Sequence, residues 1–405
     1  MNILIVTQYF WPENFRINDL ALGLRDLGHK VTVYTGKPNY PGGRFFDGYG
    51  FFSRPVDHYQ GIPVVRVPLL PRGNGGGLRL AINYLSFALF ASVLAPFRVR
   101  GSFDVIFVYE PSPITVALPA LVLKTLKRAP LLLWVQDLWP ESLSATGAVR
   151  SPWLLALVEY MVRLIYRGCD RVLVQSRAFE APVARLGVPR DRILYFPNTA
   201  EALYQPVTVE TGAPERNLLP QGFRVIYAGN IGAAQDFATI LTAAERLKSH
   251  PEIHWIILGE GRMQDWVKTE ISLRELQDSV HLLGRHPVEV MPRFFALADV
   301  MLVTLKKDPI FAMTVPARVQ SYLACARPVV AALEGEGARV IEEAGAGRVC
   351  PPENPEALAA AVLALSRASA DERNEMGKRG RAYFDANFRR EVLLGQLVGW
   401  MSGKY

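Results

Sequence analysis

The sequence predicts an α/β protein of two doubly wound halves that face one another across a cleft, and three observations carry that expectation. Short apolar runs alternate with helix-period segments through both halves, as parallel strands buried on both faces require. The chain has 405 residues, too many for one ordinary core. Glycine-bearing turns follow strands in the second half, while the GxGxxG of a dinucleotide fold is missing from the first turn.

Composition narrows the partners. Hydrophobic residues make up 50% and charged residues 20%, a globular balance on the apolar side. Forty-five basic residues against 38 acidic give a formal charge of +7, which favours an anionic partner: a membrane surface, a nucleotide or a nucleic acid. Nucleic acid is the weakest of these, because the arginines cluster beside apolar faces and no recognised motif is present. Cys169, Cys325 and Cys350 are scattered without metal-like or disulfide-like spacing, as expected of a reducing cytoplasm. The start, Met1-Asn2-Ile3-Leu4-Ile5-Val6, has no basic region before its apolar run, so a first strand is expected and no signal peptide.

The first half is predicted to span 1–200. Residues 2–7 form its first strand and lead into Gln8-Tyr9-Phe10-Trp11-Pro12-Glu13-Asn14-Phe15-Arg16, a loop of aromatics with an acid and a base. Glu13 and Arg16 are candidates for substrate contact, with a surface ion pair as the competing reading. A helix over 17–27 is closed by Gly28, and 29–35 is the second strand. The turn-rich loop 37–44 lies at that strand's carboxyl end, where open α/β sheets place ligands. Another strand follows at 61–67, then a glycine joint at 73–77. Residues 80–97 contain no charge and are bracketed by Arg79, Arg98 and Arg100. Their length would cross a bilayer, but Asn83, Ser86, Ser92 and Pro96 interrupt the run, which favours a helix at the membrane interface over a span. An internal helix is the alternative. Strands at 103–109 and 131–135 follow, the second ending in Gln136-Asp137-Leu138-Trp139-Pro140-Glu141-Ser142. Asp137 and Glu141 stand just past a strand end, with helix capping as the other role for Glu141. Residues 153–167 are amphipathic, and 150–198 hold eight arginines against four acids, a composition suited to anionic lipid headgroups. Strands at 171–176 and 193–198 close the half.

The second half is predicted over 201–383, after a polar linker at 201–222. Its first strand, 223–228, opens the loop Gly229-Asn230-Ile231-Gly232-Ala233-Ala234-Gln235-Asp236. Glycines there allow close backbone approach by a phosphate or sugar. Gly259-Glu260-Gly261-Arg262 repeats the arrangement after the strand at 254–258. Strands at 280–285 and 299–305 precede Thr314-Val315-Pro316, which reads as a loop entering a helix at Arg318, so that free amides and the positive helix end form an anion site. A final helix over 384–400 is expected, in a tail 384–405 that crosses back to the first half.

Two runs resemble a known family. Thr314-Val315-Pro316-Ala317-Arg318, continued by Tyr322-Leu323-Ala324-Cys325-Ala326-Arg327-Pro328-Val329, and the Asp137-to-Ser142 run DLWPES are similar to retaining family 4 glycosyltransferases. The resemblance is to the bacterial cell-surface polysaccharide subgroup, of the N-acetylfucosaminyl and colanic-acid type. Gly28-His29-Lys30-Val31-Thr32-Val33 and the turn Pro197-Asn198 agree with it. The resemblance implies two Rossmann-like domains (the GT-B fold), with the acceptor and membrane on the first and a nucleotide-sugar donor on the second. Donor contacts would come from Gly229, Asn230, Gly232, Gly259, Gly261, Arg262, Thr314, Val315, Pro316 and Ser321, and acceptor contacts from Glu13, Arg16 and Glu141. Asp137 and Arg318 would be catalytic. The family's paired glutamates are replaced by Met313 and Ser321, its usual histidine by Gln136, and its loop arginine and lysine by Asn230 and Gln235.

The expected function is retaining transfer of a sugar from a UDP-linked donor, an N-acetylated or deoxy hexosamine, onto a lipid-diphosphate-linked acceptor. The site is expected on the inner face of the cytoplasmic membrane, with anionic lipid as partner and neither metal nor cofactor. A UDP-sugar 2-epimerase of the same fold and a non-catalytic membrane-peripheral assembly subunit are the rival readings.

Overall fold

The computed structural model describes residues 1–403 apart from 54, 74, 75, 146 and 148. Contacts divide the chain into two compact units, Met1–Phe196 with Leu394–Tyr405, and Pro197–Leu393.

In the first unit the described residues form an eight-stranded sheet. Its strands are β1 (Asn2–Val6), β2 (Lys30–Gly36), β3 (Val56–Tyr59), β4 (Ile62–Val67), β5 (Val105–Glu110), β6 (Leu131–Val135), β7 (Arg171–Val174) and β8 (Ile193–Tyr195). The order is β3-β4-β2-β1-β5-β6-β7-β8, parallel throughout except for the β3–β4 hairpin. Central strands such as β1, β5 and β6 are apolar on both faces because helices cover both, and almost all of their side chains are buried. The order reverses between β1, which leads outward to β2, and β5, which leads to β6. Such a switch point opens a crevice at the carboxyl ends of the two strands.

The second unit repeats this plan with six strands among the described residues: β9 (Phe223–Ala228), β10 (Ile253–Leu258), β11 (Val280–Gly284), β12 (Val300–Thr304), β13 (Val329–Ala332) and β14 (Gly347–Cys350). All are parallel, in the order β11-β10-β9-β12-β13-β14, so its switch point lies between β9 and β12.

Several expectations need correction. The predicted linker is part of the second unit, since Ala200, Val209, Ala213 and Leu219 are buried in its core. The glycine joint at 73–77 lies partly outside the described residues, and the helix after it begins at Gly77. The single helix expected over 384–400 is two, Ala370–Asn387 and Arg390–Met401. Ser369 and Glu372 cap the first reciprocally, each side chain taking the other's backbone amide. The hairpin strand β3 was not expected, because 56–59 alternate exposed and half-buried over only four residues.

The uncharged run of the first unit is the 22-residue helix Gly77–Arg98, about 33 Å long at 1.5 Å per residue. It is the one helix among the described residues long and apolar enough to cross a membrane, and a third of its apolar window is buried. The internal-helix reading holds for one face. One face, with Asn83, Phe87, Ala91 and Ala95, packs into the unit, and Asn83 exchanges hydrogen bonds with Gln8 and the Leu70 carbonyl. The other face exposes Leu78, Ile82, Leu85, Leu89, Val93 and Phe97 as a stripe at helical spacing.

Candidate active-site residues

In the second unit the loops after β9 and β10 lock together through their backbones. Gly229 N–H donates to the Leu258 carbonyl and Ile231 N–H to the Glu260 carbonyl, both at 2.9 Å. A Cβ at Gly259 would stand 2.0 Å from the Gly229 oxygen, and one at Gly261 would stand 2.3 Å from the Ile231 oxygen. These two glycines are therefore required by the neighbouring loop, a reason internal to the fold. Gly232 is tight for a similar reason, with the Asn230 and Gln235 side chains against it. Asn230 is exposed at the loop surface.

Arg318 meets this glycine turn from the Ala317–Ala324 helix. Its guanidinium lies 4.7 Å from the centre of the Tyr227 ring, and its Nη2 would be 3.2 Å from a Cβ at Gly229. Its Nη1 is buried without a hydrogen-bond partner among the described residues. The Tyr227 hydroxyl donates to the Asn230 carbonyl at 2.6 Å. From the same helix as Arg318, Tyr322 takes the Ala228 N–H at 3.1 Å and donates to the Ala228 carbonyl at 3.2 Å, tying the signature helix to the end of β9. Sequence reasoning missed both tyrosines, although an aromatic at a strand end beside a glycine turn was visible.

Other predicted donor contacts fare differently. Val315 is a buried core residue, so its side chain faces the interior. Ser321 is buried and its hydroxyl donates to the Ala317 carbonyl at 3.3 Å, one turn back in its own helix. Thr314 donates to the Phe311 carbonyl at 3.2 Å, and Pro316 takes the N-cap position one residue before the helix starts. Arg262 is exposed.

In the first unit, Asp137 stands past β6 beside the switch point. Trp139 Nε1 donates to its Oδ2 at 3.2 Å, and the Ser112 and Ser142 side chains hydrogen-bond it. Burial nevertheless holds its pKa above the usual carboxylate value. Glu110, expected in the exit loop, is the last residue of β5 and has no exposure at all. Burial, and then the like charge of Asp137, push its pKa well above the ordinary range. The sequence signal for Glu110 was an acid at the end of an otherwise apolar strand. Ser112 next to it has a left-handed backbone, φ 108°, which a serine adopts only where its surroundings impose it.

The acceptor residues proposed from sequence are largely redirected. Glu13 is not a surface ion pair, because it is buried and its carboxylate accepts the N–H groups of Phe10, Asn39 and Tyr40 at 3.2, 2.8 and 2.8 Å. It staples the loop after β2 to the loop after β1. Burial outweighs those three donors and pushes its pKa up to about 7. Arg16 opens the Arg16–Asp26 helix, and its charge faces the Tyr109 phenol beside Glu110. Glu141 starts the Glu141–Ala145 helix and pairs with Arg185, which supports its structural role. What occupies this edge instead is aromatic: Tyr9 stacks on Phe15 at 5.0 Å, Tyr40 leans on both, and Tyr84 faces Trp139 at 6.5 Å. Among the described residues no group of three or more His, Cys, Asp or Glu could hold a metal ion.

Comparison with known proteins places these two units. Residues 14–199 match the glycosyl transferase 4-like domain and residues 213–383 match the glycosyl transferases group 1 family. Among curated relatives, the chain is 31% identical over 233 residues to "Probable glycosyltransferase WbjE" of Pseudomonas aeruginosa, covering 56% of this chain and 57% of that one. The chain thus spans little more than half the length of that relative. It is 25% identical to "Putative colanic acid biosynthesis glycosyl transferase WcaI" of Escherichia coli, over 89% of this chain and 91% of that one. Among solved structures, Anabaena Alr3699/HepE in complex with UDP aligns over the full length of both chains with a TM-score of 0.71 at 17% identity. An α,α-trehalose-phosphate synthase (UDP-forming) from Burkholderia vietnamiensis aligns over 99% of this chain and 98% of that one, with a TM-score of 0.74 at 14% identity. The fold is that of the GT-B glycosyltransferases.

Proposed function

We propose, from the premise that this chain is a glycosyltransferase of the 4-like and group 1 families, that it builds a bacterial cell-surface polysaccharide by retaining transfer. The donor is a UDP-linked sugar, an N-acetylated or deoxy hexosamine, and the acceptor is a saccharide on a lipid diphosphate. The name of WcaI supports the polysaccharide assignment, and the UDP in the HepE complex supports the nucleotide.

The observation that carries the reading is Arg318. A guanidinium nitrogen buried without a partner, at the start of a helix and against a glycine turn, is stable there when an anion completes it. The diphosphate of the donor is that anion. As the acceptor hydroxyl attacks the anomeric carbon, the bond to the diphosphate oxygen breaks and negative charge grows on the leaving group beside Arg318. The proton of the attacking hydroxyl passes to the departing phosphate oxygen on the same face, which retains configuration. Asp137 orients that hydroxyl. In this scheme helix amides and Arg318 stabilise the leaving group, and no further cofactor is called for.

The membrane enters through the Gly77–Arg98 stripe. Its apolar residues carry no acid among them, and exposed Arg79 and Arg100 flank its ends, so an anionic bilayer surface is complementary. The Pro152–Gly168 helix adds exposed Trp153, Leu157, Tyr160 and Leu164 in the same unit. The protein is accordingly peripheral on the inner face of the cytoplasmic membrane.

Calorimetry with UDP, GDP and ADP tests the donor assignment. UDP is expected to bind the native chain most tightly and to lose most of that affinity in Arg318→Ala, whose fold is unchanged by circular dichroism. Equal binding of UDP by the variant removes Arg318 from the donor site.

A further inference from the structure

The carboxyl edge of the first unit's sheet holds a cation, Arg72, that the reaction scheme does not use. Arg72 lies in the segment between β4 and the Gly77–Arg98 helix, and its guanidinium sits 4.8 Å from the centre of the Tyr40 ring. Its backbone is pinned, since its N–H donates to Asn39 Oδ1 at 3.1 Å. Its charge acts on the phenols of Tyr9 and Tyr84, which hydrogen-bond one another. Among the described residues it makes no ion pair with a carboxylate, although this protein pairs many of its other arginines. The charge of Asp137 also acts on Tyr84, so Arg72 and Asp137 belong to one side-chain cluster. Arg79 leans back over Gly73 and adds a second positive charge at this mouth. The exposed apolar stripe of the helix starts at Leu78, immediately beyond.

Resting on the lipid-linked reading above, we propose that Arg72, framed by Tyr9, Tyr40 and Tyr84, binds a phosphate group of the acceptor. The lipid chain of that acceptor leaves along the Leu78–Ile82–Leu85 side of the helix. The chemistry follows from the three parts in sequence. A planar, always-charged guanidinium recognises phosphate bidentately. Phenol hydroxyls donate to the remaining phosphate oxygens. The adjacent exposed stripe accepts a hydrocarbon that a soluble sugar phosphate lacks. An anionic bilayer headgroup shares this chemistry, so the test separates the two sources.

The test measures binding of geranylgeranyl diphosphate, geranylgeraniol and phosphatidylglycerol vesicles to the full chain, to Arg72→Gln, to Arg72→Lys and to Arg318→Gln. The native chain is expected to prefer the diphosphate over the alcohol. Arg72→Gln should weaken the diphosphate by roughly ten- to a hundredfold, the usual cost of a lost charge-assisted contact, and leave the alcohol unchanged. Arg72→Lys should recover part of the loss, while vesicle binding and UDP binding stay as in the native chain. Three outcomes overturn the assignment: Arg72→Gln retains the preference for diphosphate, Arg318→Gln alone abolishes it, or Arg72→Gln weakens vesicle binding by the same factor. If the native chain itself does not distinguish diphosphate from alcohol, the assignment falls and the lipid-diphosphate acceptor falls with it.

Discussion

Replacing Glu13 by glutamine should remove a pH dependence from the loop that carries Tyr40. The Glu13 carboxyl is 1% exposed and is the acceptor for the Phe10, Asn39 and Tyr40 amides. Burial raises its pKa from the ordinary 4.5 to about 7, against the opposing pull of those amides and of Arg66. When the loop opens and the carboxyl meets water, its ordinary pKa returns. A group whose pKa is raised in the closed state stabilises that state fully below pH 4.5, and the benefit disappears as pH rises to about 7. At about 1.4 kcal/mol per pH unit, the whole effect is about 3.4 kcal/mol, or roughly three-hundredfold in the opening equilibrium. Hydrogen exchange of peptides covering 37–44, corrected for the intrinsic rate at each pH, measures it. Protection in the native chain is expected to fall between pH 5 and pH 7.5, and in Glu13→Gln to stay level. Protection that rises with pH in the native chain would show that the three amides win and that the group is ionised in place. Equal slopes in both proteins would remove Glu13 from the account altogether.

Asp137→Asn should cut turnover while leaving UDP affinity intact, as the acceptor role proposed for this first-unit residue requires. Because burial raises the Asp137 pKa, the native enzyme's acid limb should fall above the usual carboxylate range, and the variant should lack that limb in a pH–rate profile. Tyr322→Phe leaves the Ala228 N–H and C=O without their partner and should cost about 1–3 kcal/mol in denaturant unfolding of the second unit. Unchanged stability would mean that the end of β9 does not need the signature helix. Replacing Leu85, Leu89 and Val93, which are 60%, 60% and 57% exposed, with serine should abolish flotation with anionic liposomes and leave the melting temperature in place. Phe87 has to be spared, because it is fully buried and its loss would report on the core.

The fold was legible because its strands are buried on both faces and show up as unbroken apolar runs. Residues 223–228 were placed to the residue, and 131–135 likewise. What escaped was set by neighbours. The strand β3 exists only because 56–59 pair antiparallel with β4, and β14 because Gly347–Cys350 line up beside β13. At the site, positions could be read but directions could not. Val315 and Ser321 fall in a glycosyltransferase signature, yet helix phase turns the first into the core and binds the second's hydroxyl to Ala317. Glu13 and Glu110 are acids whose burial no local pattern announces, because each depends on the loops and strands that close over it. Arg72 and Tyr84 come together through a helix that was weighed for lipid affinity and for internal packing, not for a site.

The second unit suggests why its glycine loop does without the arginine and lysine of the wider family. Asn230 and Gln235 stand in that loop, so in the proposed function the positive charge for a diphosphate comes from across the switch point, on the helix that starts at Ala317. A cation on a mobile loop would have to be ordered by the ligand, at the expense of side-chain entropy. Arg318 is ordered before any ligand arrives. Its guanidinium lies on the Tyr227 ring, Tyr227 is fixed by its bond to the Asn230 carbonyl, and Tyr322 fixes its helix to Ala228. Glycine at 229 leaves room for the guanidinium against the backbone, where φ is 150° and a Cβ would stand 3.2 Å from Nη2. Partial burial of the cation strengthens its interaction with charge that develops beside it, since less water screens the pair. One preorganised arginine thereby substitutes for two flexible cations, and the glycine turn, two tyrosines and the helix start form a single device for holding it.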